Sequence, residues 1–209
     1  MVDVTTALER AISAGDKAER ASPLDALSLA RKMWLAEQRI DMGALAAELG
    51  VSRATLYNWV GDRDRLTAEV LWSMTADLIA RARARAKGVG AAYLAEVNRH
   101  YLTEIAAFAP SRRFIERDPE VALRVLTSAK TTYQRSLIDA LTEMIEEQVE
   151  TAGYAPPLEP PTLAYLLIRV GESFIFNDVI TGSEPDIDKA IQASRVLLFA
   201  SPAPAAKVR

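Results

Sequence analysis

The spacing of apolar side chains along this chain predicts helices throughout. Apolar residues recur three and four positions apart over helix lengths, and no β-branched run alternates with polar residues over the length of a strand. Glycine, proline and helix-capping residues divide the pattern into helices at 23–38, 42–49, 53–59, 62–87, 91–107, 111–117, 120–151, 162–180 and 186–199. The chain is therefore predicted to be all-α, with about nine helices.

The same breaks divide the chain into four segments. Residues 1–21 are predicted to be an N-terminal arm, 22–66 a three-helix domain, 67–200 a larger helical domain, and 201–209 a disordered tail. The helix predicted at 62–87 would be about 40 Å long and would leave the small domain for the larger one. We expect this helix to link the two domains mechanically.

Residues 41–66, DMGALAAELGVSRATLYNWVGDRDRL, follow the order helix, glycine turn, helix. Asp41 is placed to cap the first helix, Gly50 to end it in a left-handed conformation, and Ser52 to cap the second helix. The second helix carries hydrogen-bonding side chains around an apolar anchor, Leu56. Such a pair of short helices has the geometry that fits the major groove of DNA.

The segment GVSRATLYNWVGDRDRL resembles the signature of the TetR family of transcriptional regulators. The residues that match the family pattern are Gly50, Val51, Ser52, Thr55, Leu56, Tyr57, Trp59, Arg63 and Leu66. Two positions depart from it, since Val60 stands where phenylalanine is usual and Arg63 where lysine is commoner. Val60 can still pack, and Arg63 still offers a cation to a phosphate. The resemblance implies a three-helix DNA-binding domain at residues 22–66.

The predicted DNA-contacting residues have two roles. Arg53, Ala54 and Asn58 are the candidates for base edges, since arginine can pair with guanine and alanine can contact a thymine methyl. The predicted phosphate contacts are Ser52, Thr55, Tyr57 and Arg63. In the resembled family, the tyrosine and the basic residue at these positions commonly hold phosphates. Trp59 either donates its indole N–H to a phosphate or packs against the domain.

The larger predicted domain carries aromatic and polar side chains that are candidates for lining a small-molecule cavity. The candidate ligand-binding residues are Trp72, Tyr101, Phe108, Thr127, Tyr133, Arg169, Glu172, Phe174 and Asn177. For any single aromatic residue, packing in the core or an interface is the better explanation. Arg169 and Glu172 are three residues apart, so they can equally form an ion pair on the helix surface.

The last two predicted helices have apolar side chains on more than one side, which indicates a partner surface. The residues predicted to form a homodimer interface are Leu163, Leu167, Phe174, Ile191 and Leu198. In TetR-like proteins, the equivalent helices of two subunits form a four-helix interface. The segment RVGESFIFNDVITGSEPDIDKA also resembles a TetR branch that includes quorum-signal-degradation regulators of the QsdR type.

Composition excludes several function classes. The 209 residues include no cysteine, which excludes disulfides and thiol catalysis, and the net charge of −3 does not favour non-specific DNA binding. No phosphate-loop, dinucleotide-binding, hydrolase or metalloprotease motif occurs, so we predict neither enzyme activity nor a metal or cofactor. Without a secretory signal or an uninterrupted apolar span, a cytoplasmic protein with no membrane partner is expected.

These patterns together predict a ligand-responsive transcriptional repressor. It would bind a palindromic operator in double-stranded DNA as a homodimer, and a lactone, a fatty acid or another small apolar metabolite would release it. A ligand-independent transcriptional regulator remains an alternative. Two others are a helical protein-interaction scaffold, which would leave no footprint on DNA, and a helical enzyme, which would need a catalytic cluster that the sequence lacks.

Overall fold

Ten α-helices make up most of the chain in this computed structural model, which describes residues 6, 8–9, 21–127, 131–177 and 182–201. The helices are α1 Pro23–Leu35, α2 Met42–Glu48, α3 Arg53–Val60, α4 Arg63–Arg85, α5 Gly90–Ala107, α6 Ala109–Arg117, α7 Pro119–Thr127, α8 Tyr133–Ala152, α9 Pro160–Ile175 and α10 Ile187–Phe199. The described ranges contain no strand, which confirms the all-α prediction. Most of the predicted arm, and all of the predicted tail except Ser201, lie outside the described residues.

The single helix predicted at 120–151 is wrong, because α7 ends at Thr127 and α8 begins at Tyr133. The hydroxyl of Thr131 donates to the backbone carbonyl of Val125 at 2.7 Å. The side chain thereby satisfies a helix-end carbonyl that a continuing helix would otherwise bond. This division accounts for the tenth helix, and no glycine or proline marks it in the sequence.

The described chain packs as two compact units. The first contains Met1–Met74 together with Arg113–Gln134, and the second contains Thr75–Arg112 and Arg135–Arg209, each as far as it is described. The division falls within α4, so this helix contributes its first half to one unit and its second half to the other.

The core of the first unit lies where α1, α2 and α3 pack together. The buried side chains that these helices and the start of α4 contribute to this core include Ala26, Ala30, Leu45, Leu56, Val60, Leu66 and Val70. The ring of Trp34, at the end of α1, lies 6.2 Å from the ring of Phe114 on α6, centroid to centroid. An aromatic contact of this kind adds to the stability gained from apolar burial.

Two arginines of α6 hold the turn between α1 and α2 within the first unit. Arg113 forms an ion pair with the carboxylate of Glu37. Arg117 donates from Nη1 to the backbone carbonyl of Glu37 at 2.8 Å. Glu37 has a φ of 60°, a left-handed conformation that residues other than glycine rarely adopt. The two arginines therefore stabilise the residue with the most unusual backbone in this turn.

The second unit has its own apolar core, in which α10 packs against both α5 and α9. The buried residues of this core are Ala82, Leu94, Ala95, Val97, Met144, Ile145, Leu163, Ala164, Leu167 and Leu198. A Cβ added at Gly171 on α9 would lie 3.1 Å from Cδ2 of Leu102 on α5. The absence of a side chain at Gly171 therefore lets these two helices approach closely.

Ser194 on α10 is fully buried, and its hydroxyl has no hydrogen-bond partner among the described residues. A buried hydroxyl without a partner costs free energy because it loses its bonds to water on folding. Ser194→Ala should therefore raise the free energy of unfolding by about 1 kcal/mol, measured by urea denaturation at fixed protein concentration.

Ala190 provides the matched control, since it is also fully buried and lies one turn earlier on α10. Ala190→Ser should lower the free energy of unfolding by about 1 to 3 kcal/mol. Destabilisation by Ser194→Ala would mean that the hydroxyl has a partner in solution.

Candidate nucleic-acid interface

Helices α2 and α3 form the helix-turn-helix that the sequence predicts, and local hydrogen bonds set their boundaries. Oδ1 of Asp41 accepts a bond from the backbone N–H of Ala44 at 2.7 Å. Oγ of Ser52 accepts one from the backbone N–H of Thr55 at 3.0 Å. Between the helices, Gly50 has a φ of 66°. The two N-caps and the left-handed glycine are thus confirmed, and each satisfies a need of the backbone itself.

Helix α3 has one buried face and one exposed face. Leu56 and Val60 are buried in the core of the first unit. Tyr57 is 48% exposed, and Asn58 beside it is also exposed. Because Leu56 and Val60 fix the rotation of the helix about its axis, its hydrogen-bonding side chains are directed to the outside of the molecule.

The eight predicted DNA-contacting residues all lie in the first unit. The exposed residues among them are Ser52, Arg53, Ala54, Tyr57, Asn58 and Arg63. The other two, Thr55 and Trp59, are partly buried. The hydroxyl oxygens of Ser52 and Thr55 lie 2.8 Å apart and bond to each other. These two hydroxyls therefore both serve the helix cap, and their predicted phosphate contacts would use what bonding capacity remains.

The side chain of Arg53 lies across the start of α2. A Cβ added at Gly43 would lie only 2.5 Å from Nη2 of Arg53, so the guanidinium occupies the space that a larger residue at this position would need. Sequence reasoning did not anticipate this packing, because it depends on a glycine in the neighbouring helix.

Hydrogen bonds and nearby cations hold Asp41 in its charged form. The backbone N–H groups of Ala44 and Gly43 lower the pKa of its carboxyl, and the positive charges of Arg53 and Arg63 lower it further. Asp41 therefore caps α2 as a carboxylate at neutral pH, and two arginines are close enough to lower its pKa.

Arg39 is a further candidate for this interface, which the sequence analysis did not select. Arg39 lies two residues before the Asp41 cap, and its side chain is 63% exposed. Arg39 and Arg63 line the same shallow hollow in the first unit. The signal available in the sequence was the position of Arg39 next to the start of the helix-turn-helix.

The nine predicted ligand-binding residues divide between the two units. Trp72, Thr127 and Tyr133 belong to the first unit. The residues in the second unit are Tyr101, Phe108, Arg169, Glu172, Phe174 and Asn177.

Several of these polar candidates already have partners within the chain. Arg169 and Glu172 form an ion pair, which is the alternative that their spacing left open. The hydroxyl of Thr127 donates to the carbonyl of Leu123 at 2.6 Å. The side-chain amide of Asn177 donates to the carbonyl of Glu184 at 3.2 Å. A ligand that used these groups would have to compete with bonds inside the protein.

The residues predicted to form the dimer interface are buried to different extents. Leu163, Leu167 and Leu198 are buried in the core of the second unit, so they offer no surface to another chain. Phe174 and Ile191 are partly exposed. The large apolar residues that α9 and α10 do expose are Tyr165, Val196 and Phe199. Both helices are apolar on two sides, and the sequence pattern alone did not distinguish the inner side from the outer one.

A family model described as "Tetracyclin repressor-like, C-terminal domain" matches residues 89–199, which is more than half of the chain. The chain belongs to the TetR family. It is a transcriptional regulator with the fold of that family, an N-terminal helix-turn-helix followed by a larger helical domain. The family assignment made from the GVSRATLYNWVGDRDRL motif is thereby confirmed.

One solved structure gives the same assignment. The TetR-family transcriptional repressor QsdR from R. erythropolis matches with a TM-score of 0.79 and 27% sequence identity, over 87% of this chain and 96% of that one. The fatty acid degradation regulator FadR from Bacillus halodurans matches with a TM-score of 0.49 and 13% identity, over 93% of this chain and 100% of that one. No curated protein sequence matches the chain.

Two further features, a membrane-spanning helix and a metal-binding cluster, are absent from the described residues. None of the helices in the described ranges has the length and apolar character needed to cross a membrane. The same part of the chain contains no group of three histidine, aspartate or glutamate side chains arranged to hold a metal ion.

Proposed function

We propose that this TetR-family regulator is a ligand-responsive repressor that acts in the cytoplasm. It binds a palindromic operator as a homodimer and is released by a small apolar effector. Residues 22–66 form its DNA-binding domain, and residues 67–200 serve ligand binding and dimerisation. The observation that carries the proposal is the exposed polar face of α3, held outward by the burial of Leu56 and Val60.

In this proposal α3 is the recognition helix. Arg53, Ala54 and Asn58 contact base edges, while Tyr57 and Arg63 hold phosphates that set the register. The chain as a whole is acidic, so affinity has to come from the local arrangement of these side chains and from two subunits binding together. Two recognition helices about 34–36 Å apart would enter successive major grooves of an inverted repeat.

The outward faces of α9 and α10 are the proposed dimer interface. Tyr165, Val196 and Phe199 support it, since three large apolar side chains on neighbouring helices are otherwise exposed to water. Phe174 and Ile191 would add to the contact from their partly exposed positions. Leu163, Leu167 and Leu198 would support the interface from the core behind it.

Effector release would act through α4. This helix begins next to the helix-turn-helix and contributes its second half to the other compact unit. A ligand that favours a different position of α4 would change the spacing of the two recognition helices. Such a ligand works only through its difference in affinity for the two states. The name of the similar solved protein, a transcriptional repressor, supports repression rather than activation.

Tyr57→Phe and Arg53→Ala test the DNA-binding site. Tyr57→Phe should weaken operator binding about fivefold through loss of one hydrogen bond. Arg53→Ala should weaken binding by at least about fivefold through loss of a base contact. The measurement is fluorescence anisotropy with an operator selected from random duplex DNA by binding to the protein.

The matched control is Arg85→Ala, which removes a guanidinium that is 54% exposed in the second unit. It should leave DNA affinity unchanged, and all three variants should keep the thermal stability of the wild type. If both α3 variants bind like the wild type, the site assignment is wrong.

Val196→Glu tests the dimer interface. Val196 is 67% exposed in the single chain, so a glutamate there is tolerated by the fold but would be buried in the proposed dimer. Sedimentation velocity should show the dimer dissociating at a protein concentration at least about tenfold higher than for the wild type. Leu35→Glu places the same charge on an exposed residue of the first unit and should leave the dimer intact.

A ligand-independent regulator is the second candidate, because several polar groups proposed to bind effector already have partners within the chain. Thermal unfolding across a library of lactones, fatty acids and aromatic compounds separates the two. A ligand that binds the folded state at about 100 times its Kd should stabilise it by about 2.7 kcal/mol. Stabilisation together with loss of operator binding supports the sensor, and no shift with any compound supports the ligand-independent regulator.

A further inference from the structure

The side chain of Arg39 is bound to a carboxylate from a distant part of the sequence. Its Nη2 lies 2.6 Å from Oδ2 of Asp118, the residue between α6 and α7, and both belong to the first unit. The side chains of the pair are 63% and 25% exposed. An ion pair this accessible to water contributes little to stability, so another anion can replace Asp118 at low cost.

The surroundings of Arg39 indicate the kind of anion that could replace Asp118 as its partner. Arg39 and Arg63 line the same hollow, whose apolar walls include Trp34 and Phe114. Guanidinium groups bind phosphates through paired, charge-assisted hydrogen bonds, so a phosphate of the DNA backbone is an anion that suits Arg39.

Further positive charge lies beside this hollow. The charges of Arg53 and Arg63 both act on the carboxyl of Asp41 at the start of α2. Asp41 offsets part of the charge of Arg53 and Arg63, and its carboxylate is bonded to the backbone of α2. The ion pair with Asp118 offsets the charge of Arg39.

We infer that Arg39 is a further phosphate contact of the DNA-binding domain, and that Asp118 competes with DNA for it. The inference rests on the proposed DNA binding and adds to it a residue and an intramolecular competitor. On binding, the guanidinium of Arg39 exchanges the carboxylate of Asp118 for a phosphate. Asp118 is not left without a counter-charge, because it also acts on the guanidinium of Arg124 in α7. The exchange lowers affinity for every DNA sequence alike, since phosphates carry no base identity.

Asp118→Asn separates this role from a purely structural one, because the two roles predict opposite changes in DNA affinity. Competition predicts that Asp118→Asn tightens binding to both the operator and unrelated DNA by a few-fold. A structural tie predicts weaker binding and a lower melting temperature. Fluorescence anisotropy over a range of salt concentrations, with both DNAs, measures the effect.

Arg39→Gln tests the same pair from the other side. Loss of a phosphate contact should weaken binding to both DNAs, and the slope of log affinity against log salt should flatten by about 0.9 per subunit. Arg39→Lys keeps the charge and should keep the slope. The double variant Arg39→Gln/Asp118→Asn should behave like Arg39→Gln alone, because Asp118 acts through Arg39.

Glu37→Gln is the matched control. It removes the same charge and breaks the ion pair between this turn and Arg113 of α6. It should neither tighten DNA binding nor change the salt slope. The inference is overturned if Asp118→Asn fails to tighten binding, or if Arg39→Gln leaves the slope unchanged, while the wild type binds and Tyr57→Phe weakens binding. If the wild type binds no DNA, the proposed function fails and the inference with it.

Discussion

The burial of Leu56 in the core of the first unit determines which face of α3 is exposed to solvent. With Leu56 and Val60 packed inward, the polar side chains of α3 are directed outward, and Ser52 fixes the residue at which the helix begins. Without this anchor, the same side chains would have no fixed direction and could not match a pattern of base edges. The capping bonds of Asp41 and Ser52 then preserve the arrangement at the two helix starts.

The first unit is completed by chain that is remote in sequence. Residues 113–134 join it, and they bring Phe114 against Trp34 and Asp118 to Arg39. The turn that precedes α2 is thus bonded to α6 and to the start of α7 rather than only to its neighbours in sequence. Any event that moves these residues would act directly on the segment leading into the helix-turn-helix. In the proposed function, these exposed ion pairs would transmit such a movement to the helix-turn-helix.

Local features of this fold could be predicted from the sequence, and features that depend on remote contacts could not. The caps at Asp41 and Ser52 and the turn at Gly50 were predictable because their partners lie within a few residues. The break between α7 and α8 was not, since side chains rather than glycine or proline end the helix. The burial of Leu163 in the core could not be predicted either, because the pattern of a helix with two apolar faces does not show which face packs inward.

The proposed function requires two copies of α3 to enter successive major grooves of one DNA duplex. Methylation interference on an operator selected from random duplex DNA tests this requirement, because it reports contacts at guanine N7 in the major groove. We expect two clusters of interference related by symmetry, with centres about 10 base pairs, or a multiple of one helical turn, apart. Binding without interference in the major groove, or a single unpaired cluster, would rule the requirement out.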